Sequence, residues 1–505
     1  MWVDRTRADV RAIAHYIGVL VVGIGLLMLL PLLTAVVLGE WAVAVDYLAG
    51  LGVSLAAGVL LMLAAPPGTR LSHSNALLVT GLAWLAATLV AAVPLAFSGN
   101  YASFLDAAFD AMSGLTTSGL TLAQDLDHMS LAHNMWRHLT HLIGGQGIVV
   151  AALSLAIGLR GGAISLYQAE GREERIMPNV MHSARFIWFV TAVWVTLGTL
   201  AISALNMVRG MSLVRGSLHA FFAAVATFDT GGFGPMSQNA LYYHSPVFEF
   251  ITLVLMLAGT LNFNLHADLW RGDLREIWSN IEARTLAINM GLLSLAVAIG
   301  LTATRLFGSP GEVIRKGVYH IVSANTGTGH QTLYAPQWGT DVGGLAFAAV
   351  VLAMAFGGMA SSTAGGIKAL RVGVIVKGII QRVRVSLAPP SAVIRTRYHH
   401  ITDQTLTDEL LSGALLVFVL YVVTYISGGL IGAAYGYPAA QAIFESVSAT
   451  ANVGLSTGIT SPAMPVGLKL VYMVQMWAGR LEFIALFAVF ASAGLAFRRR
   501  KARGL

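Results

Sequence analysis

Apolar runs of about twenty residues recur along this chain and constrain its fold more than any other feature. A bilayer core about 30 Å thick needs about 20 apolar residues per spanning helix. Only 11% of the residues are charged, whereas soluble domains average about 25%. The sequence therefore predicts an all-α integral membrane protein and excludes an ordinary soluble enzyme. Ten crossings are expected, at about 16–38, 47–65, 76–97, 134–159, 186–207, 245–270, 285–306, 340–380, 410–434 and 465–497.

The charge distribution predicts an orientation. The net charge is +7, but the basic residues sit in short loops between apolar runs, as the positive-inside rule describes, and not on one nucleic-acid-binding face. With both termini in the cytoplasm, segments 160–185, 271–284, 381–400 and 498–505 lie inside. Segments 99–133 and 434–466 lie outside and contain no Lys or Arg. Elsewhere the exceptions to the rule include Arg209, Arg215, Arg305, Arg315 and Lys316. The first run is longer than the apolar core of a signal peptide, so we expect a retained first helix.

Four windows of eleven residues repeat along the chain, each beginning with an aromatic residue and ending with glycine. They lie in the stretches 102–121, 215–234, 311–332 and 439–457, which are too short to span a bilayer and return and so look re-entrant. The pattern predicts four units of helix, pore helix, filter and helix, although small residues also let membrane helices pack closely. The windows are Phe109-DAMSGLTTS-Gly119, Phe222-AAVATFDTG-Gly232, Tyr319-HIVSANTGT-Gly329 and Phe444-ESVSATANV-Gly454.

Such a unit has a specific physical use. A cation that enters a membrane must exchange its water shell for oxygen ligands, and rings of backbone carbonyls can supply them. Glycine permits the positive φ that turns successive carbonyls toward one axis. Short helices whose C-terminal ends point at the centre add partial negative charge. The windows therefore predict a pore for a monovalent cation.

Motifs outside the windows carry a family resemblance. Gly144-Gly145-Gln-Gly147, Ser362-Thr-Ala-Gly365-Gly366-Ile-Lys368 and Gly479-Arg480-Leu-Glu482, together with the windows, resemble the TrkH/TrkG/KtrB potassium-transport superfamily. An extra N-terminal helix pair at about 11–65 favours the TrkH branch. The expected division is a helix pair at 1–70 and repeats at 71–165, 166–275, 276–385 and 386–505.

The resemblance implies gated K+ uptake across a bacterial cytoplasmic membrane, with no catalytic residues and no cofactor besides the transported ion. It also implies a homodimer with one pore per subunit and a cytoplasmic, TrkA-type nucleotide-binding regulatory subunit. The implied filter residues are Thr117, Ser118, Gly119, Thr230, Gly231, Gly232, Gly327, Thr328, Gly329, Asn452, Val453 and Gly454.

The resemblance also implies a gate. Residues 357–366 would form an intramembrane loop that obstructs the pore, and Arg480 would line the pore below the filter. The alternatives are a kinked packing helix for the loop, an internal salt bridge for Arg480, and a Lys368 side chain that snorkels toward the cytoplasm. The implied gate residues are Gly357, Gly358, Ser361, Ser362, Thr363, Gly365, Gly366, Lys368 and Arg480.

Two residues depart from the family pattern near the filter. Asp229 either attracts cations or caps a loop amide, and His330 either senses external pH or is a solvated residue at the pore mouth. His138 and His141 share a helix face, but no third ligand with helical spacing accompanies them, so we do not expect a metal site. No phosphate-binding loop or nucleophile elbow marks an active site.

Three other functions stay open at this point. A Na+- or H+-coupled K+ symporter also uses broken helices and repeats. The K+-binding subunit of an ATP-driven pump would share the fourfold plan. An intramembrane enzyme would need buried carboxylates at a matching depth, and the apolar runs contain almost none.

Overall fold

The structure is a computed structural model, and it describes residues 6–66, 71–148, 150, 166 and 180–492. It confirms the all-α prediction. The only strands within the described residues form one antiparallel hairpin, β1 (Arg397–His400) and β2 (Thr402–Thr405), which the sequence analysis did not predict. Of the predicted cytoplasmic segments 160–185 and 498–505, only residues 166 and 180–185 are described.

Helices make up most of the described chain and are numbered from its N-terminal end. They are α1 (Arg7–Leu27), α2 (Leu29–Leu38), α3 (Trp41–Met62), α4 (His73–Phe97), α5 (Phe104–Leu115), α6 (Leu131–Gln146), α7 (Val180–Val208), α8 (Leu213–Phe228), α9 (Pro246–Thr260), α10 (Phe263–Trp270), α11 (Arg275–Ser279), α12 (Ile281–Thr304), α13 (Pro310–Asn325), α14 (Ala335–Thr340), α15 (Gly344–Ala355), α16 (Ala369–Leu387), α17 (Asp408–Ala434), α18 (Ala439–Thr450), α19 (Val466–Arg480) and α20 (Ile484–Ser492). A short 3₁₀ helix covers Asn239–Tyr243.

Among the described residues, six stretches are long and apolar enough to cross a membrane, and two bent helix pairs raise the number to as many as eight. The bent pairs lie in the predicted crossings 245–270 and 465–497, and neither pair is one continuous helix. The chain turns by 107° between α9 and α10 and by 120° between α19 and α20. At the first break the Asn262 side chain accepts from the Asn264 N–H and starts a new helix. At the second, Glu482 and Phe483 have positive φ.

One further predicted crossing also differs from a single helix. Run 340–380 is divided into α15 and α16 by the non-helical residues 356–368. Helix α6 covers the first part of run 134–159, and most of the remainder lies outside the described residues.

Each predicted re-entrant stretch contains a short helix, namely α5, α8, α13 and α18. At 12 to 16 residues these helices are too short to span a bilayer. Local sequence sets where they begin. Ser103 and Ser309 accept from the N–H groups of Asp106 and Glu312, and Pro310 occupies the first turn of α13, where its missing N–H costs nothing.

The described residues form two compact units. In the first, residues 6–116, 121–148, 180–189 and 480–492, helix α1 packs on α3 and α4, and α5 packs between α4 and α6. The Glu40 carboxylate accepts from the first N–H groups of α6, at Leu131 and Ala132, both at 3.1 Å. A carboxylate at that end stabilises a helix because it neutralises the helix dipole.

The second unit comprises residues 117–120 and 190–479. Helix α12 packs against α13, α15 and α16, while α17 packs against α16 and α18. A small apolar core joins the β1–β2 hairpin to these helices through Tyr398, Leu406, Val374, Ile281 and Ala414. All four segments that end the repeated windows belong to this unit.

Candidate functional site

The last three residues of each repeated window form a ring segment, and the four ring segments are 117–119, 230–232, 327–329 and 452–454. Each follows the C-terminal end of one short helix. A Cβ atom added to any closing glycine would overlap a carbonyl oxygen of another segment. The overlapping pairs are Gly119 with Gly231, Gly232 with Thr328, Gly329 with Val453, and Gly454 with Ser118. Each segment therefore touches the next in chain order, and the fourth touches the first, so the contacts close into a ring.

Backbone hydrogen bonds orient the peptide groups of the ring segments. In the second segment the N–H groups of Gly231 and Gly232 both donate to Ala226 O, at 2.8 and 3.2 Å. In the third, Thr328 and Gly329 both donate to Ser323 O, at 2.9 and 3.2 Å. Because the N–H groups turn back toward the short helix, the carbonyl oxygens on the other side of these peptides turn away from it.

In the fourth segment the N–H groups also turn back toward the short helix, and one of them donates to a side chain. Val453 donates to Ser448 O, and Gly454 donates to Ser448 Oγ, both at 3.0 Å. Asn452 also links the fourth segment to the first, because its Nδ2 donates to Ser118 Oγ at 2.8 Å. Its second bond, to Met476 O at 2.9 Å, ties the segment to α19.

Backbone dihedrals follow one pattern in all four ring segments. The first and third residues have positive φ and the middle residue does not. Alternation between the two helical regions makes successive peptide groups point the same way. The first position is Thr117, Thr230 or Asn452 in three segments, at φ of 49 to 55°. An L-residue there costs roughly 1–2 kcal/mol, and the third segment avoids this cost with Gly327.

Residues 356–368, which we call the intramembrane loop, are not helical. The alternative of a kinked packing helix is therefore wrong. Phe356 and Ile367 pair as an isolated parallel bridge, and the Gly357 N–H donates to Ile367 O at 2.9 Å, so the loop closes on itself. Lys368 is buried and its Nζ donates to Ala364 O, which supports the closed loop and not snorkelling. Ala360 N donates to the fully buried Glu282 at 2.7 Å.

The intramembrane loop contacts three of the four ring segments. Thr230 Oγ1 donates to Thr363 Oγ1 at 3.1 Å, and Thr363 Oγ1 lies 2.8 Å from Gly259 O. A Cβ on Gly327 would lie 3.3 Å from Gly365 N, and a Cβ on Gly365 would be 2.9 Å from the Asn452 Cβ. The loop therefore packs at the first residue of each of these ring segments. Of the remaining predicted gate residues, Gly358 and Gly366 are buried, Ser361 is half-buried, and Ser362 Oγ donates to Met359 O at 2.7 Å.

Arg480 lies at the end of α19, in the first unit. Its guanidinium donates to the carbonyl oxygens of Gly144 and Gly145, the second at 3.3 Å, and lies over the Trp84 ring at 5.9 Å. The side chain is half-buried. It thus contacts the Gly-Gly-Gln-Gly motif, a link between two family motifs that the sequence analysis did not expect.

The second position of the repeated windows holds side chains that the sequence analysis missed. Asp110 accepts from Thr121 Oγ1 at 2.5 Å, His320 accepts from the Thr332 N–H at 3.1 Å, and Glu445 accepts from four donors in 456–460. Each donor lies a few residues after a closing glycine. The signal was present in the sequence, because a polar residue occupies this position in three of the four windows. Ala223 occupies it in the second.

His330 corrects the expectation of a solvated residue. It is 2% exposed, and its ring nitrogens lie 2.9 Å from Thr227 Oγ1 and 2.7 Å from Asn239 Oδ1. Asn239 in turn donates to Gly232 O at 2.8 Å, so His330 connects the second and third ring segments. Asp229 is fully buried at the C-terminal end of α8.

The two histidines of α6, His138 and His141, make contacts within the protein. His138 Nδ1 donates to the carbonyl oxygen of Asn134 at 2.7 Å, and its ring lies 6.4 Å from that of His141. No group of three or more potential metal-ligating side chains occurs in the part of the chain that the structure describes.

Comparison with known proteins is consistent with this geometry. A family model described as TrkH, cation transport protein, matches residues 47–495. The chain belongs to the TrkH cation transport family. The predicted resemblance is therefore confirmed, and the family is one of transport proteins and not of enzymes. The long apolar helices make this family member a multi-pass membrane protein.

Individual relatives cover almost the whole TrkH family chain. An uncharacterized cation transporter of Methanocaldococcus jannaschii is 29% identical over 495 residues, 96% of each protein. The Trk system potassium uptake protein TrkH of Halomonas elongata is 27% identical, over 96% of this chain and 99% of its own. The crystal structure of the potassium transporter TrkH from Vibrio parahaemolyticus shares the fold, with a TM-score of 0.78 and 23% identity over 94% of this chain and 97% of that one.

Proposed function

We propose that this TrkH family member translocates K+, with Na+ and Rb+ as secondary ions, across the bacterial cytoplasmic membrane through the ring segments. The observation that carries the proposal is the closed cycle of glycine–carbonyl contacts. Four divergent segments of one chain meet in order, and in the second, third and fourth the N–H groups turn back toward the short helices. Carbonyl oxygens then remain to replace the water shell of a cation. Several relatives named as potassium uptake proteins support K+ as the ion.

In this proposal all twelve ring-segment residues form the filter. The chain consists of an N-terminal helix pair and four repeats, and each repeat contributes one ring segment. The intramembrane loop acts as the gate, since it packs on the first residues of three ring segments through Thr363 and Gly365. Arg480 supplies a positive charge that limits cation occupancy. A homodimer, a TrkA-type regulatory subunit and cytoplasmic termini complete the proposed arrangement.

Replacement of Gly329 by alanine tests the filter. The new Cβ would collide with Val453 O and would sit at φ +77°, which strains the third and fourth ring segments together. We expect the ratio of Na+ to Rb+ flux in reconstituted vesicles to rise severalfold. Gly291→Ala is the matched control, because nothing lies within 4 Å of its Cβ. An unchanged flux ratio in Gly329→Ala, at normal expression, would refute the filter assignment.

Two measurements distinguish this proposal from a coupled symporter and from the K+-binding subunit of a pump. Conduction through a gated pore gives a reversal potential that follows the K+ gradient alone. A Na+- or H+-coupled symporter shifts that potential when the Na+ or pH gradient changes. A pump subunit needs a co-purifying ATPase for any K+ flux, whereas we expect flux from the purified chain. Growth at low K+ of a strain without K+ uptake systems provides the cellular test.

A further inference from the structure

A groove of about 650 Å³ lies in the second unit, away from the ring segments, between α12, α16 and the β1–β2 hairpin. Basic side chains line the end nearest the hairpin: Arg284 from α12, Lys377 from α16 and Arg397 from β1. Apolar side chains line the rest, among them Ile288 and Leu292. The groove is therefore amphiphilic, with a cationic end and an apolar end.

The three basic groups have no carboxylate within 4.0 Å among the described residues. One acidic residue, Asp403, also lines the groove, but its carboxylate is engaged by His399 Nδ1 at 2.7 Å. The other ring nitrogen of His399 lies 2.8 Å from Glu276. Asp403 is the one carboxylate among the described lining residues, so Arg284, Lys377 and Arg397 present a net positive charge to the groove.

The apolar end continues along α12 as a stripe. Ile288, Leu292, Leu295 and Ile299 are 63, 64, 60 and 54% exposed. Their spacing of four, three and four residues places them on one helix face. Only 22% of the most apolar window of α12 is buried within the chain. A face of this length, over 11 residues at about 1.5 Å each, runs roughly 16 Å along the helix from the cationic end.

From this geometry we propose that the groove binds an anionic phospholipid, with the phosphate at Arg284, Lys377 and Arg397 and an acyl chain along the Ile288–Ile299 stripe. Basic pockets between membrane helices bind lipid phosphates of this kind. A free phosphate or nucleotide would use the cationic end and leave the apolar stripe uncovered. A lipid satisfies both ends, and the stripe runs along a helix that is long and apolar enough to cross a membrane. This site is independent of K+ translocation.

Native mass spectrometry of the full-length protein, released from nanodiscs of equal phosphatidylglycerol and phosphatidylcholine, tests the proposal. We expect phosphatidylglycerol to be retained in preference. The variant Arg284→Gln/Lys377→Gln/Arg397→Gln should weaken that retention by on the order of 100-fold, since each basic group near the headgroup contributes about fivefold. Val376→Trp should also lower retention, because Val376 lines the groove and is 50% exposed, so the indole fills it without a change of charge.

The matched control is Arg275→Gln/Arg384→Gln/Arg395→Gln, which removes the same charge from exposed positions outside the groove lining. It should retain phosphatidylglycerol as the unmodified protein does. Equal loss in this control would overturn the proposal, as would retention by the groove variants. Displacement of the lipid by millimolar inorganic phosphate would identify a free-anion site instead. Dissociation of a dimer by the Val376→Trp variant, without lipid loss, would assign the groove to a second copy of the chain and would equally overturn it.

Discussion

Removal of one partner from the buried Arg137–Asp110 pair should destabilise the first unit strongly. The guanidinium is 1% exposed and the aspartate 1%, and Arg137 Nε lies 2.9 Å from Asp110 Oδ2. Asp110 also accepts from Tyr101 at 2.8 Å and from Thr121 at 2.5 Å, and Arg137 donates to Asn134 at 3.2 Å. The network therefore ties α5, α6 and the residues that follow the first ring segment to one another.

The magnitude follows from burial. Arg137→Met leaves a carboxylate buried without its cation, and Asp110→Leu leaves a buried guanidinium, so each should cost about 3–5 kcal/mol. The double variant removes both charges and strands three uncharged groups, the Tyr101 and Thr121 hydroxyls and the Asn134 side-chain oxygen, at a cost of roughly 1 kcal/mol each. The free energies should therefore be non-additive, with a coupling energy of about 3 kcal/mol or more.

The free energy of unfolding, by denaturant or by heat, is measured for the protein in micelles of one defined detergent. The unmodified protein, the two single variants and the double variant together form a double-mutant cycle. Rb+ flux in vesicles reports in parallel on the first ring segment. Arg271→Met is the control, because the Arg271–Asp268 pair at 3.4 Å is largely exposed and should contribute at most about 1 kcal/mol. Additivity of the Arg137 and Asp110 effects within about 0.5 kcal/mol would refute the reasoning.

Three further predictions concern other parts of the chain. Glu445→Ala should lower the free energy of unfolding by about 3 kcal/mol, because it removes the acceptor of four donors. Glu445→Gln keeps one oxygen and should cost about 1 kcal/mol. Equal thermal melts of the two variants would contradict this prediction. Glu282→Ala removes the acceptor of the Ala360 N–H, so single-channel recordings should show a higher open probability; unchanged gating argues against a closed loop. The hydrogen bonds that His399 donates to Asp403, and then to Glu276, raise the pKa of His399 above its ordinary 6.5. The hairpin therefore has this added stability below about pH 6.5 and loses it as the pH rises through the raised pKa. Asp403→Asn should lower that pKa in an NMR titration, and an unchanged value counts against the contact.

The intramembrane loop and His330 illustrate what the sequence left undecided. Glycine and serine at 357–366 indicated irregular backbone, but a kinked helix and a loop share that composition. The structure decides between these two through contacts with residues far away in the sequence. Thr363, for example, donates to the carbonyl oxygens of Gly259 and Phe228. His330 looked like a solvated residue because sequence does not show that Thr227 and Asn239 enclose it.

The sequence by itself determined the membrane class, the all-α architecture, the positions of the four short helices and the family resemblance, because hydropathy, caps and window spacing are local properties of the chain. Only the tertiary structure decided where spanning runs bend, which groups hold Arg480, and that the ring segments meet in a closed cycle. The contact of Asn452 with Ser118 joins residues 334 positions apart. No local preference specifies such a contact, which forms only when the chain has folded.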